Sequence, residues 1–283
     1  ELPEVETVRR GLAAVLEGHR LARVEVRRGD LRIPIPEDFA ERVTKRRVER
    51  LWRRGKYLLM ELGPMDFDGG ATIIAHLGMS GRLVLAGNEI SGQGRHDHLI
   101  FETGEGTRIV FNDPRRFGLF TLAAPGSLET HPLLAAMGPE PLDSSFDGAA
   151  LSAALRRRNT SIKAALLDQR VVGGIGNIYA CEALFRARIS PRRKAKNVAG
   201  RRAGRLVPAL KQVLAEAIEA GGSSLRDHRR PDGELGYFQH GFAVYGREGE
   251  PCSGCDCDVG ETGGIQRMVQ GGRSTFFCPR RQQ

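Results

Sequence analysis

Leu2, Val5, Val8, Leu12, Val15 and Leu16 recur at the spacing of one helix face, so the chain opens on an amphipathic helix. Pro3 suits its first turn, and Glu1, Glu4 and Glu6 put acid where the helix dipole is positive. The period then changes. "ARVEVRR", "KYLLMEL", "ATIIAHLGM", "GRLVLAG", "DHLIFETG" and "RIVFND" are short apolar or alternating segments separated by Gly and Asp, which predicts β-strands. Strands at that spacing build a β-sandwich or barrel. The stretch "AAMGPEPLDSSFDG" concentrates Pro, Gly, Ser and Asp and reads as a linker. Beyond it, "GAALSAALRRR", "TSIKAALLDQ", "IYACEALFRARI" and "RRAGRLVPALKQVLAEAIEAGG" return to helical periodicity, the last stopping at Gly221-Gly222. The final segment, from Pro251 to Gln283, has two Gly-Gly turns and reads as a small hairpin held by cysteines. The expected class is α+β, with no internal repeat.

Composition narrows the partner more than the fold. The 283 residues are enough for two domains, and 40% hydrophobic content is that of a globular chain. Lys plus Arg number 43 against 34 Asp plus Glu, a net charge of +9. Arginines pair up at Arg53-Arg54, Arg115-Arg116, Arg192-Arg193 and Arg201-Arg202 and triple at Arg156-Arg157-Arg158. Guanidinium forks suit phosphates, so nucleic acid leads the list of partners, ahead of a merely soluble basic surface. No apolar run is long enough to span a bilayer, and an acidic start is unlike a signal peptide, so a cytoplasmic protein is expected. Four of the five cysteines, Cys252, Cys255, Cys257 and Cys278, crowd the C-terminus, which points to metal chemistry rather than to disulfides.

Three further stretches carry candidate chemistry. In "VVGGIGNIY", Val171 to Tyr179, glycines permit close backbone approach ahead of a helix whose first N–H groups can bind a phosphate; a tight helix-to-helix turn is the plainer reading. "NDPRRFG", Asn112 to Gly118, presents two arginines beside Phe117 at a strand end, either as a wedge for a duplex or as a surface turn with a core Phe. Met79 in "HLGMSGRL" is open to the same two readings. Cys252 and Cys255 have the two-residue gap of a zinc half-site, whereas Cys278 is followed by Arg281 where a ribbon would carry its fourth cysteine. Cys257 is the nearby substitute.

Together, "ELPEVETVRRGL", "RRGKYLL", "HLGMSGRL", "NDPRRFG", "MGPEPL", "SIKAALLDQ", "VVGGIGNIYACEALF", "GYFQHGFAVYGREGEPC" and "GGRSTFFC" run in the order of one family. The chain resembles formamidopyrimidine-DNA glycosylases over nearly its whole length, and the "ELPEVE" opening is closer to the purine-lesion branch than to the endonuclease VIII relatives. The resemblance implies a β-sandwich N-terminal domain with its N-terminal helix (1–134), a linker (135–147), a helix–two-turns–helix domain with a lesion-capping loop (148–243) and a β-hairpin zinc finger (244–283). Damaged double-stranded DNA would bind across the cleft of a monomer that needs no membrane and works at the bacterial nucleoid.

The same resemblance implies roles. A proline ahead of Glu1 would attack C1′ of the flipped nucleotide; an α-amine, with an ordinary pKa of about 7.7–8.0, is partly neutral and nucleophilic at neutral pH. Glu1 would protonate the opening sugar, Lys56 would assist β-elimination, and Arg273 at the finger tip would assist δ-elimination. Met79, Arg115 and Phe117 would fill the gap left by the extruded base. His96, Arg116, Arg158, Lys163 and Asn177 match phosphate-binding positions. One structural zinc ion would be held by Cys252, Cys255 and Cys278, with Cys257 or another donor completing the set. "GGSSLRDHRRPDGELGYFQHG" resembles the loop that closes over a flipped purine. An endonuclease VIII-like enzyme and a non-catalytic DNA-binding homologue are the rival readings.

Overall fold

The computed structural model describes residues 1–65, 69–86, 94–223, 231, 236–256 and 258–283. Cys257 and most of the expected lesion-capping loop (224–230 and 232–235) lie outside the described residues. Two compact units are present: Pro3–Ala135 with Ala220–Gln239, and Glu1–Leu2 with Ala136–Glu219 and His240–Gln283. Both groupings cut across the order of the chain. The first two residues belong with the helices, and the segment after the last long helix belongs with the strands.

The first unit is a sandwich of two antiparallel sheets. Helix α1 (Leu2–Leu16) leads to β1 (Leu21–Val26), a short α2 (Phe39–Val43), β2 (Val48–Arg54), β3 (Tyr57–Leu62), β4 (Ala71–His76), β5 (Arg82–Leu85), β6 (Asp97–Thr103), β7 (Arg108–Asn112) and β8 (Leu119–Ala123). One sheet runs β1-β6-β7-β5 and the other β2-β3-β4-β8. Leu51, Leu58, Met60 and Ile73 of the second sheet share one core with Val24, Leu99, Phe101 and Phe111 of the first, and Val5, Val8, Leu12 and Leu16 of α1 pack into it. Phe111 and Phe120 meet edge to face at 4.7 Å in its centre. The periodicity did not mark β2 and β8. In β2 a bulge between Val48 and Arg50 breaks the alternation, so the buried Val48 and Leu51 stand three apart. In β8 the neighbours Leu119 and Phe120 are both buried, which also hides a period of two.

The second unit holds α3 (Gly148–Leu155), α4 (Ile162–Leu167), α5 (Asn177–Arg186) and α6 (Arg201–Glu219), followed by the hairpin β9 (Gln266–Gln270) and β10 (Arg273–Phe277). All four predicted helices are found. Asp147 and Ser161 cap α3 and α4 by accepting the N–H groups of Ala150 and Ala164. The α6 face formed by Ala203, Leu206, Leu210, Val213 and Ala217 is buried. Cys181 and Phe185 of α5 pack with Val244, Cys252, Ile265, Phe276 and Cys278, so a helix supplies part of the hairpin's small core. No helix among the described residues is long and apolar enough to cross a membrane.

Helices α3 and α6 approach through glycine: a Cβ on Gly148 would stand 2.7 Å from Cα of Gly204. Gly148→Val is expected to lower the stability of this unit by about 1–3 kcal/mol, the usual cost of overpacking, read as a lower urea midpoint at unchanged slope.

Candidate functional site

The glycine turn ahead of α5 is filled by the chain's own beginning. Gly176, the N-cap of α5, has no side chain to offer the helix. The Glu1 carboxylate takes that place, its Oε1 accepting the Ile178 N–H at 3.0 Å. The Leu2 N–H donates to the Gly174 carbonyl at 3.2 Å. Neither contact tolerates a larger residue. A Cβ on Gly176 would lie 2.5 Å from the Glu1 carboxylate oxygens, and one on Gly174, whose φ is +87°, would meet Leu2 at 2.6 Å. Gln169 braces the turn from below: its Oε1 accepts from Gly174 N and its Nε2 donates to the Ile175 carbonyl. Gly174, Gly176 and Gln169 are thus site residues, the glycines flagged in the sequence as a turn or a phosphate loop and Gln169 not singled out.

From α5 the construction continues into the hairpin. Asn177 Nδ2 donates to the Ser274 carbonyl at 2.9 Å and to Tyr245 Oη at 3.1 Å. Lys163 Nζ donates to the same carbonyl at 2.9 Å and to Thr275 Oγ1 at 2.6 Å. The neighbouring residue is Arg273, exposed beside the two-residue turn Gly271-Gly272, whose φ angles of +55° and +72° require glycine. Three buried acceptor bonds fasten the approach to the hairpin: the Glu182 carboxylate takes the N–H groups of Ala243, Val244 and Tyr245. Lys163 is fully buried, and through its bonds to Ser274 and Thr275 it is a strut under Arg273. Burial lowers its pKa, and the cation of Arg273 adds to the effect. Arg158 is also engaged, in a 2.8 Å ion pair with Asp168, a carboxylate held well below its usual range first by Arg170 and then by Arg158.

A second assembly lies in the sandwich unit. Met79 and Phe117 are 67% and 42% exposed, far too open for core residues. Arg115 stacks on Phe117 at 4.6 Å. Two loops carry these three residues, and one buried carboxylate joins them. Asp113 Oδ1 accepts from Ser80 Oγ at 2.5 Å and from Arg115 N at 3.3 Å, while Oδ2 accepts from Gly118 N at 2.8 Å. Gly78, at φ +70°, lets the Met79 loop touch the Phe117 backbone. Arg116 turns away, at φ +57°, into a 2.6 Å pair with Asp30. His96 is half-buried, and its carbonyl receives the Asp113 N–H. Lys56 occupies the two-residue turn with Gly55 between β2 and β3. Opposite Tyr57 in the register stands His76, whose Nδ1 accepts the Gly78 N–H at 2.9 Å. His76 opens "HLGMSGRL" and was not singled out from the sequence.

Among the described residues, the Sγ atoms of Cys252, Cys255 and Cys278 lie within 4.8 Å of one another. Gly254 N donates to Cys252 Sγ and Arg281 N to Cys278 Sγ, each at 3.4 Å, the backbone bonds that favour thiolates in a metal knuckle. Three soft ligands converging in this way fit a metal ion such as zinc.

Residues 1–120 match the model of the formamidopyrimidine-DNA glycosylase N-terminal domain, and residues 137–229 that of the formamidopyrimidine-DNA glycosylase H2TH domain. The chain belongs to this family. It is 59% identical to the formamidopyrimidine-DNA glycosylase of Rhodospirillum centenum and 60% identical to that of Rhodospirillum rubrum, in both cases over 100% of this chain and 99% of the relative. The MutM (Fpg) protein of Thermus thermophilus superposes with a TM-score of 0.85 at 42% identity, over 100% of this chain and 98% of that one. A Lactococcus lactis Fpg bound to DNA containing N7-benzyl-Fapy-dG superposes at 0.87 with 33% identity, over 100% and 99%. These formamidopyrimidine-DNA glycosylases carry the name of the purine-lesion branch, not of endonuclease VIII.

Burial pushes the His76 pKa down from 6.5 to about 3, with the Lys56 and Arg32 cations adding to it. Because Nδ1 accepts a hydrogen bond, the ring is neutral with its proton on Nε2. A depressed histidine contributes stability that is complete above 6.5 and is lost as pH falls toward 3. The His76 ring resonance is expected to stay flat from about pH 5 to 8; an NMR titration with an ordinary histidine midpoint would contradict this.

Proposed function

We propose that this chain excises oxidised purines, 8-oxoguanine and formamidopyrimidines, from duplex DNA and then cleaves the abasic strand. The observation that carries the reading is the Glu1 carboxylate, fixed on the Ile178 N–H. A residue directly before Glu1 would thereby be held in one place, and we assign the nucleophile to a proline amine there. The amine attacks C1′, and the bond to the base breaks with its electron pair leaving on the base. Glu1 gives a proton to the ring oxygen as the sugar opens to an iminium. Loss of the C2′ proton expels the 3′ phosphate, and a second elimination expels the 5′ phosphate.

Lys56 and Arg273 are proposed to grip phosphates beside the lesion and assist the eliminations. Met79, Arg115 and Phe117 would fill the vacated stack, a role that suits their exposure. His96, Arg116, Arg158 and Asn177 are proposed to serve phosphate register, Arg116 and Arg158 by exchanging their carboxylate partners for DNA. Zinc is the proposed occupant of the cysteine cluster. Domains at 1–134, 148–243 and 244–283 joined by a 135–147 linker, a monomeric state and a cytoplasmic, nucleoid-associated setting belong to the same proposal.

Borohydride trapping on 8-oxoguanine duplexes, with oxidised-pyrimidine duplexes alongside, tests it. The expected result is a covalent adduct mapped by mass spectrometry to a proline preceding Glu1, formed faster on the purine lesion. Tight binding without an adduct would instead favour the non-catalytic homologue. Glu1→Gln is expected to cut base removal by about 10²-fold or more while leaving cleavage of a preformed abasic site nearly intact. Gly176→Ala, which drives the Glu1 carboxylate off its seat, is expected to cost about 10²-fold in excision through misplacement alone, with unchanged DNA affinity.

A further inference from the structure

In the sequence, the place of a fourth cysteine of the cluster is taken by a residue whose side chain cannot bind a metal. Arg281 follows Cys278 at the spacing at which Cys255 follows Cys252. A guanidinium stays protonated at any working pH and has no lone pair for a metal ion. Its position is nonetheless defined. Arg281 Nη1 donates to the Gly254 carbonyl at the centre of the other knuckle, and its Cζ lies 4.9 Å from the Phe185 ring centroid. A Cβ on Gly254 would meet Arg281 Nε at 2.7 Å, so the first knuckle is shaped around this arginine. The side chain thus joins the two knuckles to each other and both to α5.

We propose that Cys252, Cys255 and Cys278 form a three-thiolate metal site whose fourth coordination position takes a small exchangeable ligand, water or a free thiol, with Arg281 as a non-coordinating tether between the knuckles. Charge supports this. A divalent ion with three thiolates carries one net negative charge, which the adjacent guanidinium neutralises; four thiolates would carry two. The rest of the hairpin explains how a ligand could be lost without losing the fold. Gln282, 3% exposed, accepts from Cys278 N at 2.9 Å and donates to the Ile189 carbonyl at 3.0 Å, while Lys163 and Asn177 hold the Ser274 carbonyl and Glu182 holds the segment leading into the hairpin. Metal closure is therefore one hold among several. A site with three protein ligands and one open position exchanges ligands as closed structural sites do not.

The inference rests on the metal-bearing reading of the finger, and its test separates the two. The full chain is loaded with Co(II), and thiolate-to-metal absorption is recorded with and without added imidazole, next to R281C, C257S and R281A. Sulfur is also counted on the zinc-loaded wild-type protein by X-ray absorption. Expected are three sulfurs and one lighter ligand, a Co(II) spectrum that imidazole shifts in the wild type and in C257S, and a stronger, imidazole-indifferent spectrum in R281C. R281A is expected to keep three sulfurs but to bind the metal about 10–100-fold more weakly, as for removal of an outer partner. Four sulfurs in the wild type, with one lost in C257S, would overturn the open position and leave the zinc finger standing. Undiminished affinity in R281A would overturn the tether. A chain that takes up metal without any thiolate absorption would overturn both this inference and the zinc reading.

Discussion

The hydrogen bond from the Ile178 N–H to the Glu1 carboxylate couples the start of the chain to a helix 177 positions away. Helix α5 lacks a capping side chain at Gly176, and its first N–H groups carry the positive end of the helix dipole. An anion from elsewhere must satisfy them. The glycines at 174 and 176 are spaced so that Glu1 and Leu2 enter where any other residue would exclude them. Whatever chemistry occurs at the chain's beginning is thereby tied to a rigid helix end instead of a fraying terminus.

From that helix the positional constraint spreads through buried polar bonds. Asn177 and Lys163 converge on one carbonyl, that of Ser274, and so hold Arg273 on its hairpin. Glu182, fully buried, collects three backbone N–H groups of the incoming segment. Burying an ammonium and a carboxylate is costly unless each is fully bonded, and removing one partner of such a group costs about 3–5 kcal/mol. A purely apolar interface could have packed these elements with no such cost. Polar struts confer what packing does not: a direction and a length, and hence one position for the arginine at the tip.

Much of this was legible in the chain, and the failures have physical causes. The four C-terminal helices came from a period that tertiary packing did not disturb, whereas Met79 and Phe117 were open to a wedge or a core reading until their exposure decided against the core. Strands β2 and β8 escaped because a bulge and a doubly buried pair erase the alternation. The occupant of the glycine turn was invisible, since nothing local in "VVGGIGNIY" identifies a carboxylate at the other end of the sequence. Lys163 was equally opaque: the resemblance gave it a phosphate-binding position, and nothing local shows that β10 packs over it and makes it a strut. Asp113 was not singled out in "NDPRRFG", yet its buried carboxylate is what brings Met79, Arg115 and Phe117 into one tip.

Asp113 and the knuckle arginine illustrate one economy of design at two places. In the sandwich, a single carboxylate satisfies three donors from two loops, so the exposed tip needs no core of its own. In the hairpin, a single guanidinium reaches the opposite knuckle's carbonyl and an aromatic face, and does mechanically what a metal bond does elsewhere. A charge-assisted hydrogen bond is worth about twice a neutral one. A hairpin whose placement depends on such bonds can keep Arg273 in position with a metal bound through only three sulfurs. The structural requirement at this corner is therefore a link between the knuckles, and coordination is one of two chemistries that supply it.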